Sequence, residues 1–242
     1  SKDYAAVLFI VDITDRELAE QMRREFTANV SHELKTPLTS ILGYAEIISN
    51  GIAKPEDING FAGRIYSEAS RLMTLIQDII HLSRLDEGDL RHEFEKVNLS
   101  EVCKKAVNDL SEKAKAAKIT LNEDIDDIVI NGYEPVLYEI VFNLCDNAII
   151  YNKPEGSLSV SLKSDSSKAI LTVSDTGIGI APEHQARIFE RFYRVDKSRS
   201  KETGGTGLGL SIVKHGAMLH DAEIAISSKP DKGTSISITF NI

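Results

Sequence analysis

Residues 26–42 read Phe26-Thr-Ala-Asn-Val-Ser-His32-Glu-Leu-Lys-Thr-Pro37-Leu-Thr-Ser-Ile-Leu42. Laid on a helix at about 100° per residue, Val30, Leu34, Leu38, Ile41, Ala45 and Ile48 fall on one side, at the three- and four-residue steps of a buried stripe. His32 lies at the opposite pole, and Thr36, Thr39 and Gly43 continue its row. A histidine aimed at water in the middle of a long amphipathic helix fills no core. Glu33 beside it can hold one ring nitrogen protonated and leave the other free as a nucleophile. Pro37 removes a backbone donor inside the helix, at a cost of about 3 kcal/mol unless a kink is wanted there.

Working outward, one long helix is expected over residues 16–50, with Met22 and Phe26 carrying the seam upstream. Before it, residues 5–13 are a β-branched run that ends in an Asp-Ile-Thr-Asp cap, read as a strand. After it, Asn50-Gly51 supplies a stop and Lys54-Pro55-Glu56-Asp57 starts a second helix. That helix places Phe61, Ile65, Ala69, Leu72, Ile76, Ile79 and Leu82 at alternating four- and three-residue steps. Two antiparallel helices with such seams cannot close a core alone. Pairing with a second copy gives a four-helix bundle, so a homodimer is expected.

Asp86-Glu87-Gly88-Asp89 breaks the pattern and is read as a hinge. Beyond it the texture alternates. Helices are expected over 100–117, capped by Ser100, and over 134–150 and 207–220. Strands are expected over 119–125, 128–131, 158–162, 169–174, 223–228 and 234–241. The fold class is therefore α+β: an antiparallel helical hairpin followed by an α/β two-layer sandwich.

With 242 residues the chain has room for two modest domains, and its 42% apolar and 27% charged residues are ordinary for a soluble protein. A net charge of −9 argues against a nucleic-acid backbone as partner. Cys103 and Cys145 form no CxxC and read as reduced core thiols, as in a cytoplasmic protein. No run approaches the ~20 apolar residues that cross a bilayer, so any membrane anchor is expected in upstream segments missing from this chain. His81, His92, His184, His215 and His220 show no metal-ligand spacing.

Four constellations follow the hinge. Glu139, Asn143, Asn147 and Tyr151 recur every four residues as one polar stripe on an otherwise apolar helix. The amide oxygens of the two asparagines are hard donors suited to Mg²⁺. Asp175-Thr-Gly177-Ile-Gly179-Ile180 ends a strand, where a carboxylate can accept from an adenine amino group and glycines let backbone come close. Ile188-Phe-Glu-Arg191-Phe-Tyr-Arg194 offers an arginine able to reach phosphate. Gly204-Gly205-Thr206-Gly207-Leu208-Gly209 opens a helix, where free amides favour an anion. No GxxxxGK[ST], HRD or DFG occurs.

Ser31-His-Glu-Leu-Lys-Thr-Pro-Leu together with these four stretches resembles, in order, the H, N, G1, F and G2 boxes of bacterial sensor histidine kinases. The resemblance runs from Phe26 to Thr234. It implies a sandwich of the GHKL ATP-binding type and three segments: residues 1–15 as the remnant of a PAS-like sensor domain, 16–87 as the dimerisation and phosphotransfer domain, and 88–242 as the catalytic domain. His32 is then the phosphoacceptor, Glu33 its partner, and Thr36 the residue that orients water when a regulator is dephosphorylated. ATP is assigned to Asn143, Asn147, Tyr151, Asp175, Gly177, Gly179, Ile180, Arg191, Gly205, Thr206, Gly207, Leu208, Gly209 and Thr234, with Mg²⁺ on Asn147 and Asn143. The implied partner is the receiver domain of a response regulator. One departure stands out: Ile150 occupies a position where the family commonly carries a phosphate-binding lysine, with Lys153 nearby but past the expected helix end. An ATP-binding scaffold or a phosphatase-only protein is the alternative that this departure leaves open. Hydrolysis to free phosphate, as in gyrase, needs a glutamate where Asn143 stands.

Overall fold

A computed structural model of the chain describes residues 12–87, 89–165, 167–195 and 205–242. Most of the strand expected over 5–13, and residues 1–11 of the segment 1–15 read as a sensor remnant, lie outside them. The chain divides into two compact units, residues 1–72 and 73–242.

Helix α1 (Thr14–Ser49) runs through Pro37, and α2 (Ile58–Glu87) follows. Between them Gly51 takes φ +66°, a left-handed turn that glycine adopts without a Cβ clash and that ends α1. Within the first unit Tyr44 stacks on Phe61 at 5.6 Å between ring centres, and Arg64 donates to the Tyr44 hydroxyl at 3.0 Å. Leu38 and Leu42 on α1, and Tyr66, Met73, Ile76 and Ile80 on α2, stay exposed in the single chain. The last part of α2, residues 73–87, belongs to the second unit.

In that unit a 3₁₀ turn (Asp89–Glu93) leads into β1 (Glu95–Asn98), which pairs antiparallel with β3 (Val129–Gly132). The main sheet has the order β2-β4-β5-β7-β6, with β2 (Thr120–Ile125) parallel to β4 (Ser157–Asp165). Strands β5 (Lys168–Asp175), β7 (Thr234–Asn241) and β6 (Glu223–Ser228) complete it, antiparallel. Helices α3 (Leu99–Ala116), α4 (Glu134–Ile150) and α6 (Gly209–Leu219) share one core with the sheet, and α5 (Pro182–Gln185) is a single turn. Strict alternation decides which face is covered. Leu158, Val160 and Leu162, Leu171 and Val173, Ile236, Ile238 and Phe240 point to the helices. On the other face, Thr172 pairs with Ser237 at 2.9 Å and Ser174 with Ser235 at 2.8 Å.

One cap differs from expectation. The α3 cap is Asn98, not Ser100: its Oδ1 accepts from the Glu101 N–H at 3.2 Å and from the Ser100 hydroxyl. Strand β1 ends at Asn98, so the residue three before the first free amide is Asn98. Ser100 is buried and also donates to Asp127 at 3.0 Å.

Candidate active site

The His32 side chain keeps 79% of its surface exposed, with Nδ1 3.7 Å from Glu33 Oε1. Glu33 is anchored in turn, because Arg71 of α2 donates to its Oε2 at 3.5 Å. The carboxylate thus sits where a small ring rotation would bring Nδ1–H onto it and leave the Nε2 lone pair free. Thr36, one turn on, donates to the His32 carbonyl at 3.2 Å.

The second unit holds a cavity of about 930 Å³. Its walls include Asn143, Asn147 and Tyr151 from α4, Asp175 from the end of β5, Gly179, Ile180, Gly205, Thr206, Gly207, Gly209 and Thr234. The helical repeat of four aligns the α4 amides, and the Asn143 Nδ2 group donates to the Glu139 carbonyl at 2.9 Å, which orients its oxygen. Gly209 begins α6 so close to this amide that a Cβ there would lie 2.7 Å from Asn143 Oδ1. Gly179 has φ +66°, and a Cβ would lie 1.9 Å from the Lys229 carbonyl oxygen. No other residue fits there.

Asp175 Oδ1 accepts from the Gly177 N–H at 2.7 Å and the Thr234 N–H at 3.2 Å, which leaves Oδ2 to accept from a ligand. Burial pushes its pKa up, and the two amide bonds work against that rise. Leu208, the N-cap of α6, offers no side-chain acceptor, so first-turn amides of that helix are available to an anion. Hard amide oxygens, a glycine strip and a helix start in one apolar-walled cleft suit a nucleotide polyphosphate with its metal.

Of the residues expected at the site, Gly177, Leu208 and Arg191 do not line the cavity. Gly177 supports Asp175, and Leu208 is fully buried. Arg191 donates to both Asp86 oxygens, at 2.7 and 2.9 Å, and to His215 Nε2 at 3.2 Å. Ile150 does line the cavity, while Lys153 donates to the Asp231 carbonyl at 2.5 Å. Sequence reasoning missed Arg194, which lines the cavity beside Gly207, although it stands in the stretch singled out for Arg191. It also missed three side chains of α2. Thr206 donates to Asp78 Oδ2 at 2.6 Å, His81 Nδ1 lies 2.5 Å from Glu139 Oε1, and Asp86 holds Arg191. Asp78 and His81 line the same cavity.

Comparison with known proteins agrees with this geometry. Residues 22–88 match the family model for the His Kinase A (phospho-acceptor) domain. Residues 132–242 match that for the histidine kinase-, DNA gyrase B- and HSP90-like ATPases. The sensor-like histidine kinase SenX3 of Mycobacterium tuberculosis is 39% identical over 237 residues, 97% of this chain and 58% of that protein. The phosphate regulon sensor protein PhoR of Pseudomonas aeruginosa is 37% identical over 239 residues, 97% of this chain and 53% of that protein. The chain thus spans less than two thirds of the length of these relatives. Among solved structures, the Acinetobacter baumannii histidine kinase AdeS superposes with a TM-score of 0.72 at 25% identity, over 87% of this chain and 97% of that one. Histidine kinase ThkA, solved in complex with response regulator protein TrrA, shares the fold with a TM-score of 0.68 at 21% identity, over 96% of this chain and 67% of that one. The chain belongs to the histidine kinase family, and it carries that family's phospho-acceptor domain followed by its ATP-binding domain.

Proposed function

We propose that the protein autophosphorylates His32 from ATP and passes the phosphoryl group to an aspartate of a response-regulator receiver domain. The observation that carries this reading is the exposed imidazole with an anchored carboxylate on its flank, in a chain that also holds a glycine-lined cleft. Asp175 accepts from the adenine amino group, and the amides that open α6 take the phosphates. The oxygens of Asn143 and Asn147 would hold Mg²⁺, which would supply positive charge beside the departing diphosphate. Neutral His32 attacks the γ-phosphorus in line through Nε2; the bond to the ADP oxygen breaks, and the Nδ1 proton stays with the ring beside Glu33. The resulting P–N bond is high in energy and suits onward transfer to a carboxylate. Thr36 would orient water for the reverse task, removal of phosphate from the regulator.

The exposed apolar row of Leu38, Leu42, Tyr66, Met73, Ile76 and Ile80 supports a homodimer whose four helices cover it. No helix among the described residues is long and apolar enough to cross a membrane. We place the chain on the cytoplasmic side of a membrane-anchored sensor, as residues 16–87 for dimerisation and phosphotransfer and 88–242 for catalysis. Incubation with ATP and Mg²⁺ tests the proposal: the bound phosphate should survive base, be lost in acid and move to a receiver domain. Release of free phosphate without a labelled protein would contradict it.

A further inference from the structure

Thr206, which lines the cleft, and Arg191, which the sequence offers to phosphate but which lies outside the cleft lining, are both held by carboxylates of α2. Arg191 lies 2.7 and 2.9 Å from the two oxygens of Asp86, and Thr206 donates to Asp78 at 2.6 Å. Asp78 and Asp86 are two helical turns apart and fall on one face of α2. A third contact lies between them: His81 Nδ1 meets Glu139 at 2.5 Å, four residues before Asn143 on the stripe that walls the cleft. The ring of His215 completes the upper contact, with Nδ1 3.2 Å from Asp86 and Nε2 accepting from Arg191 at 3.2 Å. A carboxylate and a phosphate ask the same of a guanidinium or a hydroxyl, namely an anionic oxygen at hydrogen-bond distance.

We infer that Asp78 and Asp86 stand in for phosphate oxygens, so that this end of α2 and the polyphosphate of ATP compete for Thr206 and Arg191. The contact is then a built-in brake on nucleotide binding. By linkage, ATP weakens the hold of the nucleotide cleft on residues 73–87 of the same unit, and whatever draws that stretch away strengthens ATP binding. The fraction of molecules with the contact made lowers the apparent affinity in proportion. This inference rests on the nucleotide reading of the cleft and goes beyond it.

The test compares a non-hydrolysable ATP analogue with Mg²⁺ against adenosine, each titrated into the whole chain and followed by magnetic resonance. In an Asp78→Ala/Asp86→Ala variant the analogue should bind about fivefold tighter or more, while adenosine, which has no phosphate, binds as before. Removing two negative charges tightens an anion without any brake, so His81→Ala is the second variant. It takes away no negative charge, yet it breaks the middle contact and should also tighten the analogue. Unchanged or weaker analogue binding in the double variant overturns the inference. So does tightening there with none in His81→Ala, which would mean charge alone. Failure of the nucleotide reading looks different: neither adenosine nor the analogue would bind the unaltered chain.

Discussion

Around the sheet, Leu162, Leu171 and Ile238 are completely buried within one chain, whereas Leu42, Met73 and Tyr66 on the two long helices keep 61%, 58% and 77% of their surface exposed. Both regions are built from periodic apolar residues, with period two in the strands and about 3.6 in the helices. They differ in geometry. A sheet with three helices on one face closes its core locally, while two helices side by side have only one flank to offer each other. The α/β unit buries its own core, whereas the hairpin leaves apolar side chains exposed that the proposed homodimer would cover.

The contrast breaks most sharply at Phe240, which is 1% exposed. Phe240→Ala should cost the sheet unit about 3–5 kcal/mol in chemical denaturation, by the lost transfer energy plus a cavity. A loss under about 1 kcal/mol would mean that this core is loose. Leu38→Glu should leave that stability unchanged but weaken self-association by about 2–3 kcal/mol, roughly a hundredfold in Kd, because it puts a charge into the dimer seam. Sedimentation equilibrium measures it, and an unaltered dimer would contradict the proposed interface.

A smaller effect comes from His220, buried under Phe94 and beside Phe240. Its Nε2 accepts from the Tyr133 N–H at 3.1 Å, and Nδ1 donates to the Gly216 carbonyl at 2.8 Å. That pattern needs a neutral ring. Burial lowers its pKa from the ordinary 6.5; the Gly216 bond and Asp221 oppose this, and Arg91 adds to it. A lowered folded value means that the contribution to stability is complete above about pH 6.5 and is lost as pH falls through the folded pKa. Stability should therefore drop on mild acidification, by at most about 1.4 kcal/mol per pH unit for one proton, and His220→Gln should flatten the curve. Smallest is Asn98→Ala at the start of α3, about 1 kcal/mol in thermal or chemical unfolding.

Much of this was legible from local pattern. Helix α4 begins at Glu134 and ends at Ile150 as read, because Pro135 opens it and an unbroken apolar face fills it. Strands β6 and β7 match residue for residue, since alternation runs clean to both ends. Strand β1 was missed: Glu95-Lys-Val-Asn98 has one buried residue and is held by pairing with β3, some thirty residues away. The same gap misplaced the α3 cap at Ser100. At the site, the α4 stripe, Asp175 and the expected glycines other than Gly177 line one cavity. What stayed hidden came from α2: Asp86 reads as part of a hinge although the helix runs through it to Glu87, and Asp78 and His81 carry no signal of a role. Nothing in their spacing reveals partners 58 to 128 residues downstream.

In the proposed reaction His32 of the hairpin receives the γ-phosphoryl group of the nucleotide held by the sheet unit. The most direct measurement is labelling by γ-³²P-ATP of the unaltered chain beside His32→Gln, with nucleotide binding checked in both. We predict acid-labile, base-stable label on the first and none on the second, with equal affinity for nucleotide. Label of the same stability persisting on His32→Gln would place the acceptor elsewhere and contradict the account.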